Sequence, residues 1–178
     1  MVLRPAEALR DHALAVLTAE RRRLRSIGVP GELTLVGGSS VPGALTHGDV
    51  DLHLRVPPEA FAGAVAQLRR AYRIVHPGIW TATLATFEVA GDGANADGPG
   101  ARPPVGIAAT PERSEHDVRF TRSWQLLAAD PALVAEYNAM KLADDGPQGA
   151  GYEARKSAFF DRLVASWPSH PAGGGTPD

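Results

Sequence analysis

The chain contains no cysteine, few aromatic residues and almost no excess of charge of either sign. Of its 178 residues 6% are aromatic, and 18 basic against 20 acidic side chains give a net charge of -2. The lack of cysteine excludes disulfides and any zinc or iron–sulfur site held by thiolates. A near-neutral charge removes the general electrostatic argument for binding nucleic acid, so we do not expect nucleic acid as a partner.

Long hydrophobic runs are also missing. No window approaches the ~18 apolar residues of a membrane span, and the first twelve residues, MVLRPAEALRDH, lack the apolar segment of a signal peptide. We therefore expect a cytoplasmic protein that does not associate with a membrane. A basic run at Arg21–Arg23 leaves three interpretations open: a solvated helix face, a patch that steers a substrate, or an oligomer interface.

Glycine and proline are abundant, with 19 and 15 residues, and they are unevenly placed. Their cluster over Gly91–Pro104 predicts a long loop within one domain, and the cluster over Pro168–Asp178 predicts a disordered tail. Because one chain of this length is the size of one ordinary domain, we predict a single domain over residues 1–167.

Hydrophobic periodicity predicts strands mainly in the middle of the chain, with helices before, between and after them. This order is typical of an α/β or α+β domain, in which helices back a small mixed sheet on one side. The predicted helices cover residues 5–27, 59–73, 123–129, 131–143 and 152–166, and the predicted strands cover 32–36, 49–56, 72–75, 80–89, 105–109 and 115–120.

The clearest strand, Asp49–Val56, alternates apolar and polar residues and places Asp49 and Asp51 on its polar face. Their alpha carbons are then about 6–7 Å apart. Like charges this close raise the pKa of one or both carboxyls unless a cation lies between them. Because Mg2+ is held by one or two carboxylates together with substrate phosphates, the pair is a candidate site for Mg2+ or Mn2+.

A glycine–serine turn, Gly37–Ser40, directly follows the strand predicted over residues 32–36. Its backbone N–H groups and hydroxyls are potential donors to an anion. An ordinary turn is the simpler interpretation of these residues alone. Donors for phosphates on one strand and carboxylates for a metal on the next together fit a site for phosphoryl or nucleotidyl transfer.

These features carry a resemblance to a known family. The order Gly38-Ser39, nine residues, then Asp49-Val50-Asp51 resembles the signature of the nucleotidyltransferase superfamily, and VGGSSVPGALTHGDVDL resembles its GrpB family, most specifically at Ser40-Val41-Pro42-Gly43. Three later segments are similar to the C-terminal half of GrpB proteins: EHDVRF, SWQLLAADPALVAEYNAMK and GYEARKSAFFDRLV.

The resemblance implies a nucleotidyltransferase-like mixed sheet flanked by helices, with C-terminal helices over one end. It implies that Asp49 and Asp51 bind the metal and that Asp117, where GrpB proteins carry a histidine on a strand, completes a catalytic triad of carboxylates. Glu88 and Glu115 are alternatives for that third carboxylate. The implied activity is transfer of a nucleotidyl group from a nucleoside triphosphate to a small-molecule acceptor.

The other predicted contacts combine this resemblance with residue chemistry. We expect Gly38, Ser39, Ser40, Lys141 and Lys156 to bind the nucleotide, and His53, Arg119 and Tyr137 to contact substrate. Each also has a plainer interpretation: lysines on helices are commonly solvated, a histidine on a strand is commonly structural, and an aromatic residue commonly packs in the core. An alternative function is a GrpB-like protein that uses its polar pocket for ligand binding or for a different reaction.

Overall fold

The structure is a computed structural model that describes residues 3–89, 104–143 and 151–166. The predicted tail and the predicted loop, apart from Pro104, lie outside the described residues. No helix in the described part of the chain is both long enough and apolar enough to span a membrane.

The order of the elements is close to the predicted one. The helices are α1 (Arg10–Ser26), α2 (Phe61–Ala71), α3 (Glu115–Ala129), α4 (Pro131–Leu142) and α5 (Tyr152–Ala165). The strands are β1 (Arg4–Pro5), β2 (Glu32–Val36), β3 (Leu45–Thr46), β4 (Val50–Val56), β5 (Arg73–Ile74), β6 (Ala85–Glu88) and β7 (Val105–Pro111).

Five of these strands form a mixed sheet in the order β2-β4-β7-β6-β5, while β1 and β3 form a separate pair. Only the central β4–β7 pair is parallel, and its register places Asp51 beside Gly106. The neighbouring pairs are antiparallel. The predicted α/β class with a mixed sheet is therefore confirmed.

Helices cover both faces of the sheet, as the flanking helices implied by the family resemblance require, although the order of the elements alone predicted helices on one side. On one face Val50, Leu52 and Leu54 of β4 are buried in a core with residues of α1 and α2. The other face of β4 carries His53, which is only 1% exposed because α3 lies over it. The polar face of this strand is thus an interior surface over part of its length.

A second core forms where α3, α4 and α5 meet the loop before β3. It contains Leu127, Val134, Tyr137, Phe159 and Phe160 packed against that loop. Because apolar burial is the main favourable term in folding, the C-terminal helices are held by their own core and not only by the sheet.

The strand predicted over residues 115–120 is wrong, because these residues form the first turns of α3. Ser114 caps the helix: its hydroxyl accepts a hydrogen bond from the Asp117 N–H at 3.2 Å. Glu115 and Asp117 lie in the first turn, where the helix dipole favours negative charge. The short alternation in EHDVRF resembled a strand, but the capping pattern decides the local structure.

The basic run of α1 ties the helix to its neighbours. Arg21 donates to the Leu33 carbonyl of β2 through Nε and Nη2, at 3.0 and 2.7 Å. Arg23 donates to the Ala71 carbonyl at 2.8 Å and lies 4.5 Å from the Tyr72 ring. These contacts support a structural role for both arginines over substrate steering.

Candidate functional site

The turn after β2 is shaped by Gly37, which has φ 75° and ψ -177°. Residues with a side chain essentially never adopt this conformation. A Cβ at Gly37 would also overlap the Asp51 carboxylate and lie 2.8 Å from the Asp51 Cβ. The glycine therefore allows the turn and the first carboxylate of β4 to approach each other directly.

The two serines of this turn form hydrogen bonds within the protein. Ser39, which is 5% exposed, donates to the Asp49 carbonyl at 2.6 Å and lies 3.2 Å from the Thr46 hydroxyl. Ser40 donates to the Gly37 carbonyl at 2.7 Å. These bonds connect the turn to the segment carrying Asp49, and the predicted binding of phosphates by Gly38, Ser39 and Ser40 stays a prediction.

Asp49 and Asp51 lie next to this turn and both line the same cavity. The Thr46 hydroxyl donates to Asp49 Oδ1 at 3.2 Å. Burial, and then the neighbouring charge of Asp49, raise the pKa of Asp51 to about 6. The contribution of Asp49 is the like-charge effect that the sequence predicts for two close carboxylates, and burial, the larger cause, adds to it.

The raised pKa of Asp51 gives a test in the absence of metal. The folded state holds the proton of Asp51 up to about pH 6, whereas the unfolded chain releases it near pH 4. The contribution of Asp51 to stability therefore falls as pH rises from about 4 to 6 and then levels. We expect the melting temperature of Asp51→Asn, relative to wild type, to rise across that window in a pH series of thermal unfolding. A constant difference would contradict the burial of this charge.

The cavity itself has a volume of about 500 Å³, which is within the usual range of about 300–1,000 Å³ for small-molecule sites. Polar residues at its sheet side include Asp49, Asp51 and Glu88, and two cations, Arg119 and Lys156, reach it from α3 and α5. The helical wall includes Phe120, Trp124 and Phe160, whereas Phe87 and Ile107 border the cavity from strands whose apolar side chains are buried in the core shared with α1 and α2.

Gly106 separates two carboxylates across the sheet. It pairs with Asp51 of β4 on one side and with Glu88 of β6 on the other, so the three residues form one row across the strands. Since Gly106 has no side chain, nothing on β7 fills the space between the carboxylates. Glu88 forms an ion pair with Arg73, so this alternative third carboxylate is at the cavity but is already paired.

Lys141 and Lys156 differ in their surroundings. Lys141 is 7% exposed, donates to the Leu45 carbonyl at 2.7 Å and lies 4.5 Å from the centre of the Tyr137 ring. Burial lowers the pKa of Lys141 to about 8, against the opposing charge of Asp49. Lys156 lines the cavity and Lys141 does not, so Lys156 is the better placed of the two for a phosphate.

Asp117 is not brought together with Asp49 and Asp51. It is 2% exposed and forms a bidentate pair with Arg55, at 2.7 Å to Nε and 3.1 Å to Nη2. It also accepts from the Arg113 N–H at 2.7 Å. Burial would raise the pKa of Asp117, but these bonds outweigh it and hold the pKa below its usual range. The predicted triad is not assembled, because Asp117 lies in the first turn of α3 and pairs with Arg55 near the other end of β4.

The predicted substrate residues also separate into two groups. Arg119 lines the cavity, where its guanidinium pairs with Asp161 at 2.6 Å. His53 is buried against Thr110, 2.8 Å from its hydroxyl, and burial lowers the pKa of His53 to about 4. Tyr137 is 2% exposed in the second core. His53 and Tyr137 are therefore packed in the interior and do not face the cavity.

Sequence reasoning missed the aromatic part of the cavity wall. Phe120 and Trp124 are four residues apart on α3, and Phe160 comes from α5. Helical spacing of this kind usually marks a core face, and packing is the simpler interpretation of an aromatic residue. The assignment of residues 115–120 to a strand also hid the i, i+4 relation between Phe120 and Trp124.

The comparisons with known proteins identify the fold. The conserved protein GrpB from Enterococcus faecalis is 16% identical with a TM-score of 0.62, over 86% of this chain and 90% of that one. The Cid1 poly(U) polymerase with MgGTP bound is 17% identical with a TM-score of 0.53, over 79% of this chain. A structure of Cid1 with its short product ApU is 18% identical with a TM-score of 0.51.

This chain spans 42% of the length of the Cid1 chain with MgGTP. No protein-family profile and no curated protein matches the sequence. The structural matches confirm the GrpB-like, nucleotidyltransferase-like fold predicted from the glycine–serine turn and the two aspartates. Since all three identities are low, they establish the fold and not an activity.

The residues at the cavity fit a metal ion that is completed by its substrate. Asp49 and Asp51 supply carboxylate oxygens at the cavity. Two carboxylates plus substrate phosphates suit Mg2+. Within residues 3–89, 104–143 and 151–166, no group of three or more histidine, aspartate and glutamate side chains is placed to hold an ion.

Proposed function

We propose that this chain is a metal-dependent nucleotidyltransferase that transfers a nucleotidyl group from a nucleoside triphosphate to a small-molecule acceptor. The observation that carries the proposal is the meeting of the Gly37 turn with Asp49 and Asp51 at the mouth of a cavity of small-molecule size. The structural likeness to GrpB and to Cid1 supports a nucleotidyltransferase-like fold around this site.

In this proposal Asp49 and Asp51 hold Mg2+ or Mn2+, which when bound neutralises phosphate charge and polarises the phosphoryl group. Lys156 places a positive charge in the cavity beside the nucleotide phosphates. The backbone N–H groups of the turn at Gly38 and Ser39 offer further donors to those phosphates. Arg119 is held by Asp161 and contacts the substrate from α3.

The acceptor is proposed to be small because the cavity is small and its cations are few. Polynucleotides are bound along positively charged grooves. The cavity wall has two lysine or arginine residues, Arg119 and Lys156, among its described residues, and Arg119 is already paired. A cavity of about 500 Å³ suits a single compact ligand better than a chain.

A second candidate is a GrpB-like protein that binds a ligand in this cavity or catalyses a different reaction. One observation favours it: Asp117 is committed to Arg55, so the third carboxylate implied by the family resemblance is not at the cavity. In this case the cavity binds its ligand without a nucleotide and without a divalent metal.

Thermal unfolding with nucleotides separates the two candidates. We expect one nucleoside triphosphate with Mg2+ or Mn2+ to raise the melting temperature, because ligands that bind only the folded state stabilise it by mass action. At about 100 times the dissociation constant the gain is roughly 2.7 kcal/mol, which for a chain of this size is roughly 5–11 °C.

Asp51→Asn should abolish that shift, because it removes a charged oxygen from the proposed metal site while keeping the size of the side chain. Asp11→Asn is the matched control, since Asp11 is exposed on α1 and far along the chain from the cavity residues. No shift with any of the nucleotides, or an equal shift in Asp51→Asn and wild type, would rule out the metal–nucleotide proposal.

A further inference from the structure

The helical wall of the cavity differs in chemistry from the carboxylate edge. Phe120 and Trp124 of α3 and Phe160 of α5 line it. The Trp124 and Phe160 rings pack with their centroids 5.0 Å apart and an interplanar angle of 61°. A ligand in this half of the cavity meets aromatic surfaces and very few charges.

One polar group in this wall has no partner. Ser123 lies between the aromatic residues on α3, lines the cavity and is 3% exposed. Its hydroxyl has no hydrogen-bond partner among the residues that the structure describes. Buried hydroxyls are normally bonded, and an unbonded one is unfavourable until a partner is supplied. Arg119, the α3 cation that lines the cavity, is bound to Asp161.

We infer that the aromatic half of the cavity binds a planar aromatic ring that carries a hydrogen-bonding group, and that Ser123 selects for that group. Flat rings pack favourably against aromatic side chains, and a polar site in an apolar wall discriminates strongly against ligands that leave it unpaired. The source of the ring rests on the proposed function: it is either the nucleobase of the triphosphate or a ring of the acceptor.

A matched pair of small probes tests the ring and its polar group without any metal. Tyrosol and 2-phenylethanol differ only in the ring hydroxyl, and ribose serves as a polar probe without an aromatic ring. We expect tyrosol or one of the four ribonucleosides to bind the full-length chain, measured by quenching of tryptophan fluorescence and by thermal shift. Tyrosol should bind about 5- to 10-fold more tightly than 2-phenylethanol if its hydroxyl meets Ser123.

Ser123→Ala should remove the preference for the polar ring and leave binding of 2-phenylethanol unchanged. For a nucleoside ligand, the same variant should weaken binding about 5- to 10-fold. Ser26→Ala, an exposed position at the end of α1, is the control and should retain wild-type affinities. The inference is overturned if aromatic probes bind no better than ribose, or if Ser123→Ala affects the polar and apolar rings equally.

The same titrations identify the source of the ring. Binding by a nucleoside that competes with its triphosphate assigns the ring to the nucleotide, whereas binding by tyrosol alone assigns it to the acceptor. Asp51→Asn should keep ring binding while it loses the metal–nucleotide shift. If wild type binds the aromatic ring but shows no thermal shift with metal and nucleotide, the proposed nucleotidyl transfer is rejected and the aromatic subsite is kept. If wild type shows the metal–nucleotide shift but does not bind the ring, only the aromatic subsite is rejected.

Discussion

Asp117→Ala is expected to lower the free energy of unfolding by about 3 kcal/mol, because it breaks an ion pair that is buried on the Asp117 side and leaves the Arg113 N–H without its acceptor, while Arg55 keeps only its exposed contact with Glu32. Asp117 is 2% exposed and accepts two bonds from Arg55 as well as one from the Arg113 N–H. For a chain of this size the loss corresponds to a fall in melting temperature of roughly 6–12 °C, measurable by calorimetry or by circular dichroism.

Asp161→Ala is the matched control for this change. Asp161 also pairs with an arginine, but its side chain is 58% exposed, and exposed ion pairs contribute at most about 1 kcal/mol. A small change in melting temperature for both variants would contradict the inference that the Arg55–Asp117 pair stabilises the contact between β4 and α3. A second outcome bears on catalysis: if Asp117→Asn kept its melting temperature and lost only the response to Mg2+, the carboxylate would belong to the metal site after all.

Gly37→Ala should remove the stabilisation by metal and nucleotide and also weaken the fold. The backbone at Gly37 is in a region that costs about 1–3 kcal/mol for other residues, with φ 75° and ψ -177°. The new methyl group would overlap the Asp51 carboxylate, so either the turn or the carboxylate must move. We expect the nucleotide-dependent rise in melting temperature to disappear even under conditions where the variant is fully folded.

Gly63→Ala controls for the substitution itself. Gly63 lies in α2 with nothing within 4 Å of the position that a Cβ would take, and alanine in a helix interior is about 0.5–1 kcal/mol more favourable than glycine. This variant should therefore be slightly more stable than wild type with an unchanged response to nucleotide. Equal behaviour of the two variants would mean that the close approach at Gly37 has no part in forming the site.

The sequence predicted strand β4 of the sheet well, because the alternation of apolar and polar residues is unambiguous there. In β4 the apolar side chains Val50, Leu52 and Leu54 recur at every second position, and all three are buried. The N-terminus of α3 was mispredicted because EHDVRF alternates over only six residues. In the fold, the side chain of Ser114 and the dipole of a longer helix outweigh that short pattern.

The candidate site was predictable where its residues are close in sequence and unpredictable where they are not. Asp49 and Asp51 are two positions apart, so strand geometry alone places them on one face. Arg55 and Asp117 are 62 positions apart, and no local pattern indicates that they meet. Because Asp117 pairs with Arg55, its carboxylate does not complete the triad that the family resemblance implied.

The hydrogen bonds from Arg21 to the Leu33 carbonyl disfavour the addition of a strand from a second molecule at β2. β2 is an edge strand, and an unpaired edge invites a strand from a second molecule to join the sheet. A strand that docked there would need the backbone groups of β2, and the guanidinium already occupies one of those carbonyls. At the opposite edge β5 offers only two residues. Both edges of the sheet are therefore poorly suited to pair with a strand of another molecule.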